Sequence, residues 1–218
     1  MALDTYDGLC AEIAGFLNRR DLTDEIPTFV RLAEVAVDSD ERFRILAATT
    51  RSTALIDSSQ TDQWGQYFLP VPTDYLEMQN FRVMTVPPPN SVEMITQSQM
   101  DDARQTHQIA GVPMLYAISG ETMEILPTPD QQYTVQMVYY SRVPPLSSTN
   151  QTNWLLRKYA NVYLYGALLH SAPYLMDDDR IQVWAGMYNQ LVENINTAEK
   201  NAQFSGATLR MRTRRTYR

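Results

Sequence analysis

The sequence predicts an α+β fold, with terminal helices packed as an antiparallel bundle, an inserted antiparallel β-module and an extended C-terminal tail. Three observations carry that expectation. Residues 153–202 contain two helix-period segments that meet near Pro173. Residues 48–146 change to strand-like alternation punctuated by prolines, and two shorter amphipathic helices precede them. The expected divisions are a helical pair over 1–47, a β-rich module over 48–146, a helical hairpin over 147–204 and a basic tail over 205–218.

The first helix is expected from about Asp4 to Asn18, with Leu9, Ile13, Phe16 and Leu17 on one face and Cys10 and Ala14 at its border. Arg19-Arg20-Asp21 end that pattern. Asp24 can cap a second helix, and Pro27 suits its first turn, where no backbone donor is needed. Its apolar face is Phe29/Val30, Ala33 and Val37. From about Ala48 the period changes, and Thr49 to Ile56 alternates and is β-branched. Asp57-Ser58-Ser59 reads as a turn and Gln63 to Leu69 as a returning strand, stopped by Pro70 and Pro72. Phe81, Val83 and Thr85 alternate up to Pro87-Pro88-Pro89. Ser98 is placed to cap a short helix with Met100, Ala103 and His107 inward. Leu115 to Ser119 and Thr122 to Leu126 flank Gly120 as a tight hairpin. Tyr133, Val135, Met137 and Tyr139 form the last strand before Pro144-Pro145.

In the hairpin, one helix carries Leu156, Ala160, Tyr163, Ala167 and His170 on a face, with Tyr159, Leu164 and Leu168 beside it. A sector that broad belongs to a helix with neighbours on two sides. The other, from about Asp177, places Ile181, Trp184, Tyr188, Leu191, Ile195, Ala198 and Ala202 at spacings that alternate three and four. Asp177-Asp178-Asp179 sits where carboxylates cap free amides and oppose the positive helix end. Three consecutive carboxylates cannot all point at one ion, so no metal is expected there.

With 218 residues the chain can bury roughly 70% of its unfolded surface and needs no staple. Its one cysteine, Cys10, excludes an intrachain disulfide. No run of about 18 apolar residues offers a membrane span. The start, Met1 to Cys10, lacks the basic and apolar regions of a signal peptide. The expectation is a protein made in a cytoplasm, or carried in a particle assembled there. The net charge of −7 is unevenly spread. Five of the 18 basic residues, Arg210, Arg212, Arg214, Arg215 and Arg218, fall in the last nine positions, where there is no acid. The remaining 13 basic residues face 25 acidic ones, a balance of −12. An acidic body with a short cationic tail results.

The search for chemistry returns no enzyme. There are two histidines, His107 and His170, and no H-E-x-x-H, C-x-x-C, G-x-x-x-x-G-K or G-x-S-x-G pattern. Cys10 reads as a small packed residue and His170 as a packed or rim histidine. No cofactor is expected. The 13 tyrosines, including Tyr159, Tyr163, Tyr165 and Tyr174, are not interleaved with basic residues as a base-stacking platform needs. They read as contacts between helices and between subunits. The arginine tail has three readings: phosphate attraction, a solubilising end, or docking into an acidic groove of a protein partner. The acidic body argues against nucleic acid as the main target.

Several segments in order resemble a known family. They are Leu69-Pro70-x-Pro72-x-Asp74-Tyr75-Leu76-Glu77; Gly111-Val112-Pro113-x-x-Tyr116-x-x-x-Gly120 followed by Ile125-Leu126-Pro127-x-Pro129; Tyr139-Tyr140-x-x-x-Pro144-x-Leu146; and Asn153-Trp154-Leu155-Leu156 with Tyr163-Leu164-Tyr165-Gly166-Ala167-Leu168. Together they resemble the head-to-tail adaptors of short-tailed and related phages, the tail tubular protein A family, over roughly residues 5 to 205. That family often has a proline before the Tyr-Leu-Tyr segment, where this chain has Ala160-Asn161. The departure bears on where the first long helix starts.

The resemblance implies a structural virion protein of the neck and tail, assembled in the host cytoplasm. It implies a twelve-fold ring of copies below the portal that extends the DNA channel and carries the tail. The implied partners are the portal protein, a tail nozzle or tail tube protein, further copies of the chain, and double-stranded DNA passing without specific binding. It places Phe204, Arg210, Arg212, Arg214, Arg215 and Arg218 in the segment that reaches the portal. A nucleic-acid-binding protein using the basic tail, and another neck completion or stopper protein, are the competing readings.

Overall fold

The fold was obtained as a computed structural model that describes residues 3–19, 21–57, 61, 65–85, 88–175 and 179–204, with side chains to 202. The chain divides into two compact units, Met1–Ala47 with Leu146–Arg218, and Ala48–Pro145.

In the first unit, helix α1 (Tyr6–Leu17) starts at Thr5, whose hydroxyl accepts from the Gly8 amide at 3.2 Å. It ends at Asn18 in the left-handed region (φ 51), which Asn tolerates better than most residues. Leu9, Ile13 and Leu17 are buried, but Phe16, expected on the same face, is 42% exposed. Helix α2 (Ile26–Ser39) has Pro27 in its first turn, as its missing donor allows. Asp24 does not cap it. A 3₁₀ turn over Thr23–Glu25 runs straight into α2, so Glu25 is the cap position and makes no side-chain cap bond. Ile26, Phe29, Val30, Ala33, Glu34 and Val37 form its buried arc.

Helix α4 (Trp154–His170) is the centre of this unit, packing on α1, α2 and a last helix, α6 (Arg180–Phe204). The broad apolar sector read from the sequence is that central role. Gly166 permits a close approach, because a Cβ there would lie 3.2 Å from the Ala33 Cβ of α2 and 3.5 Å from Cε2 of Tyr188 on α6. The short helix α5 (Ala172–Leu175) holds Pro173 at the break. Asp177 and Asp178 of the triple aspartate lie outside the described residues. On α6 the buried line runs through Trp184, Val192, Ile195 and Glu199. Ala198 and Ala202, expected on it, are exposed instead. The face turns because Glu199 has partners on α4.

The second unit is a sandwich. One sheet has the order β1-β8-β3-β4, from Thr49–Ile56, Tyr133–Ser141, Tyr75–Val83 and Asn90–Ser91. The other has the order β2-β7-β6-β5, from Tyr67–Pro70, Thr122–Leu126, Leu115–Ser119 and Glu93–Met94. One core joins them, with Ile56, Phe81, Val83, Tyr133, Val135, Met137 and Tyr139 from the first sheet and Tyr67, Leu69, Tyr116, Met123 and Ile125 from the second. Alternation sends Ala117 and Leu126 to the opposite face of the second sheet, where they meet Met100 of helix α3 (Gln97–Thr106).

Several expectations need correction here. Tyr67–Pro70 does not return beside β1; it pairs with β7 in the other sheet, while β1 pairs with β8 from Thr49↔Tyr140 to Ile56↔Tyr133. The strand expected at Phe81 begins at Tyr75 and carries two register shifts. The module is not wholly antiparallel, since β5 pairs with β6 in parallel. Helix α3 is capped by Thr96 in a capping box with Gln99, not by Ser98. The Gly120 hairpin forms as expected, with φ +62 at the glycine.

Candidate functional site

In the helical unit a buried carboxylate joins three remote segments. Glu34 of α2 is 1% exposed. Its Oε1 accepts from the Leu146 amide at 2.8 Å and from the Tyr163 hydroxyl at 3.1 Å, and its Oε2 accepts from Arg31 at 3.0 Å. Asn153 caps α4 through the Leu156 amide at 2.8 Å and donates to the Tyr163 oxygen at 2.6 Å. Burial pushes the Glu34 carboxyl above its ordinary range, against the opposing pull of the Leu146, Arg31 and Tyr163 donors. Burial, reinforced by the nearby Glu34 charge, likewise raises the Tyr163 phenol. The network ties Leu146 to α2 and α4 within the helical unit.

A second carboxylate shapes α4. Tyr159 is non-helical (φ −140, ψ 50) and kinks the helix. Glu199 of α6 accepts from Tyr159 Oη at 2.5 Å and from Lys158 Nζ. Burial pushes Glu199 up, but Lys158 and Tyr159 outweigh it and hold the carboxyl below its ordinary value. The kink falls just before Ala160-Asn161, where the Lys158 and Tyr159 side chains both bond to Glu199. A cleft of about 440 Å³ opens beside it, lined by Leu156, Arg157, Ala160, Asn161, Leu191 and Asn194 among others.

At the other end of α4 the unit presents apolar side chains. Arg19 donates to the Tyr174 carbonyl at 2.9 Å and Arg180 to the Phe16 carbonyl at 3.1 Å. The Arg180 guanidinium lies 5.3 Å from the Trp184 ring. These contacts tie together the end of α1, helix α5 and the start of α6, where Phe16, Tyr174, Val183 and Met187 are all more than 40% exposed. Exposed apolar groups beside two arginines form a surface suited to protein contact.

Among the four tyrosines expected at subunit contacts, the structure separates roles. Tyr163 is 1% exposed and committed to Glu34 and Asn153. Tyr159 is half-buried on Glu199, and Tyr165 is half-buried. Tyr174 is exposed, its ring edge-on to Phe29 at 5.3 Å. The side chain of Phe204 and all of Arg210, Arg212, Arg214, Arg215 and Arg218 lie outside the described residues.

Sequence reasoning missed Glu34 and Glu199 because a carboxylate reads as surface. The available signal was position, since Glu34 falls within the apolar arc of its helix. In the sheet unit Glu124, 4% exposed between Met123 and Ile125, faces α3 and is gripped by Arg104 from Nε at 2.8 Å and Nη2 at 2.6 Å. Among the described residues no group of three or more metal-ligating side chains assembles. Burial raises the Cys10 thiol, the wrong direction for a nucleophile. Burial also lowers His170, which fits the packed reading. No helix of the described residues is long and apolar enough to cross a membrane.

These networks hold the helices and strands of each unit together. Residues 4–214 match the SU10 adaptor protein family, and no curated protein matches the chain. With nearly the whole length matched, the chain belongs to the SU10 adaptor protein family, as a structural component of a phage particle.

Proposed function

From that membership we propose that the chain is the ring-forming subunit between the portal of a filled phage head and its tail. The observation that carries the reading is the adaptor match over residues 4–214. The acidic body supports it, because a negative channel wall lets DNA slide without binding. The apolar end of the helical unit, with Tyr174 at its centre, offers a contact between neighbouring copies in a twelve-fold ring. The half-buried Tyr165 and, at the opposite end of α4, Tyr159 offer further contacts, and Tyr163 serves the subunit's own core. Phe204 and Arg218 belong to the segment that reaches the portal, where Arg210, Arg212, Arg214 and Arg215 pair with acidic groups, and a tail nozzle or tail tube protein is the further partner.

Electron microscopy of the protein mixed with its portal tests this reading. The expected result is a twelve-fold collar below the portal, lost when Ala207 to Arg218 are deleted while the circular dichroism spectrum stays unchanged. A truncated protein that still forms the collar removes the role of the tail. Single copies spread along DNA in place of a collar would establish the nucleic-acid-binding reading.

A further inference from the structure

Among the described residues the sandwich has four sheet edges, and three are blunted. Strand β2 is four residues long and ends at Pro70, which has no amide to offer. Strands β4 and β5 have two residues each, and the part of β3 beyond β4 is disrupted by register shifts between Tyr75 and Glu77 and between Met78 and Asn80. Short length, proline, bulges and charged side chains are the usual protections of an edge. Strand β1 has only the last of these, a single Arg51. It runs regularly for eight residues against β8, and among the described residues no strand pairs with its other side. Within this edge the backbone amides and carbonyls of Arg51, Thr53 and Leu55 point outward.

The side chains of β1 say what kind of strand fits. Thr50, Ser52 and Ala54 point to the core side, are small and are only half-buried. Ala54 packs against the core cluster from its margin. An added strand with medium apolar residues on that side would close this margin. On the opposite face Arg51, Thr53 and Leu55 are exposed, Leu55 at 59%. The Arg51 side chain makes no hydrogen bond or ion pair within the described residues, whereas Arg19, Arg31, Arg42 and Arg104 are each paired with a carboxylate. A free guanidinium at the middle of an open edge favours an acidic side chain on the incoming strand and disfavours the chain's own arginine tail. It disfavours a second β1 too, since in-register pairing that keeps both core sides together brings two Arg51 side chains onto the same face.

We propose that the outer edge of β1 accepts an extended segment of a different polypeptide, apolar at alternate positions and acidic on its outward side. The proposal rests on the reading of the chain as an adaptor, whose work is to join other proteins. Main-chain pairing supplies the affinity, while the small core-side residues and Arg51 supply the selectivity.

The test uses the full-length protein and a labelled ten-residue peptide, Thr-Val-Glu-Val-Thr-Val-Glu-Val-Thr-Val, followed by fluorescence anisotropy. Two further probes carry N-methyl groups on alternate backbone nitrogens, one in each phase. Saturable binding is expected, abolished by methylation in one phase and retained in the other, with amide exchange slowed at residues 51–55. Arg51→Glu should weaken the acidic probe at least tenfold and strengthen the version with arginine in place of glutamate. Arg51 has no partner to lose, so the variant folds. No binding, equal binding of both methylated probes, or indifference to Arg51→Glu overturns the proposal. So does tighter binding of a peptide copying Thr208 to Arg215, or a dimer of the protein alone that Arg51→Glu dissolves. A collar below the portal with no peptide binding would sink this inference and leave the adaptor function standing.

Discussion

Glu34 of the helical unit and Glu124 of the sheet unit are both buried carboxylates, and they are held in different ways. Glu124 meets a guanidinium from α3 through two nitrogens, with Gln97 as a further donor at 3.3 Å. Its Arg104 partner keeps 29% of its side-chain surface in solvent and also reaches Asp101 at 2.7 Å. Glu34 instead gathers an amide, a phenol and, at one oxygen only, Arg31. The first is a clamp between two neighbouring elements. The second is a hub among segments more than 100 residues apart in sequence. A clamp that opens leaves a charge free to find water, whereas a hub that is removed orphans several buried groups together.

The largest expected effect comes from breaking the hub. Glu34→Ala leaves the Leu146 amide and the Tyr163 hydroxyl without their acceptor, and should cost about 3–5 kcal/mol. Urea unfolding followed by tryptophan fluorescence reads it, because Trp154 and Trp184 lie in the helical unit. Glu124→Leu should cost about 1–2 kcal/mol, since the released Arg104 can swing toward Asp101 and solvent. Equal losses for the two substitutions would show that the contrast between hub and clamp has no energetic content.

A smaller effect tests packing at the centre of the same unit. Gly166→Val should cost about 1–3 kcal/mol, because its branches meet Ala33 and Tyr188, which already stand 3.2 and 3.5 Å from the site of a Cβ. Gly166→Ala gains about 1 kcal/mol of helix propensity, which largely offsets its overlap. A Gly166→Val protein as stable as the natural one would show that α2 and α6 move apart freely.

The two units were unequally legible. Each period spoke clearly where one face alone was buried. Tyr133, Val135, Met137 and Tyr139 lie on the inner face of β8, and Gly120 turns a hairpin, as alternation and turn chemistry require. Strand partners are a different matter. Nothing local in Thr49 to Ile56 tells it to pair with Tyr133 to Tyr140, since the choice is made by a core that both sheets share. The two-residue strands β4 and β5 are too short to carry a period. In the helices, length made the elements plain, and the errors arose where a polar residue is buried. Glu199 turns α6 by one position relative to its apolar pattern, because Lys158 and Tyr159 receive it. The exposed apolar end of the helical unit was readable only in part. Tyrosine abundance pointed to contacts, but the exposure of Tyr174 and burial of Tyr163 depend on where α5 and α2 lie. The free edge of β1 was hidden altogether, because it depends on which strand has no second neighbour.

The finest distinction lies in pH, where the two carboxylates of the helical unit act with opposite sign. Burial raises Glu34 above its ordinary 4.5, so the fold prefers its protonated form. Its contribution is greatest below 4.5 and declines as pH rises through the folded value, because there the folded chain holds the extra proton. Glu199 is held below 4.5, once Lys158 and Tyr159 have outweighed burial. Its contribution is present above 4.5 and is lost as pH falls toward its folded value. Urea midpoints from pH 3 to 7 for the natural protein, Glu34→Gln and Glu199→Gln separate the two. The difference between natural protein and Glu34→Gln should shift in favour of the variant as pH rises above 4.5. The difference for Glu199→Gln should shrink as pH falls below 4.5, when the natural carboxyl becomes neutral as well. Differences that stay constant across the range would mean that neither carboxyl changes its proton affinity on folding, and that the hub at Glu34 is held by its donors without a burial penalty.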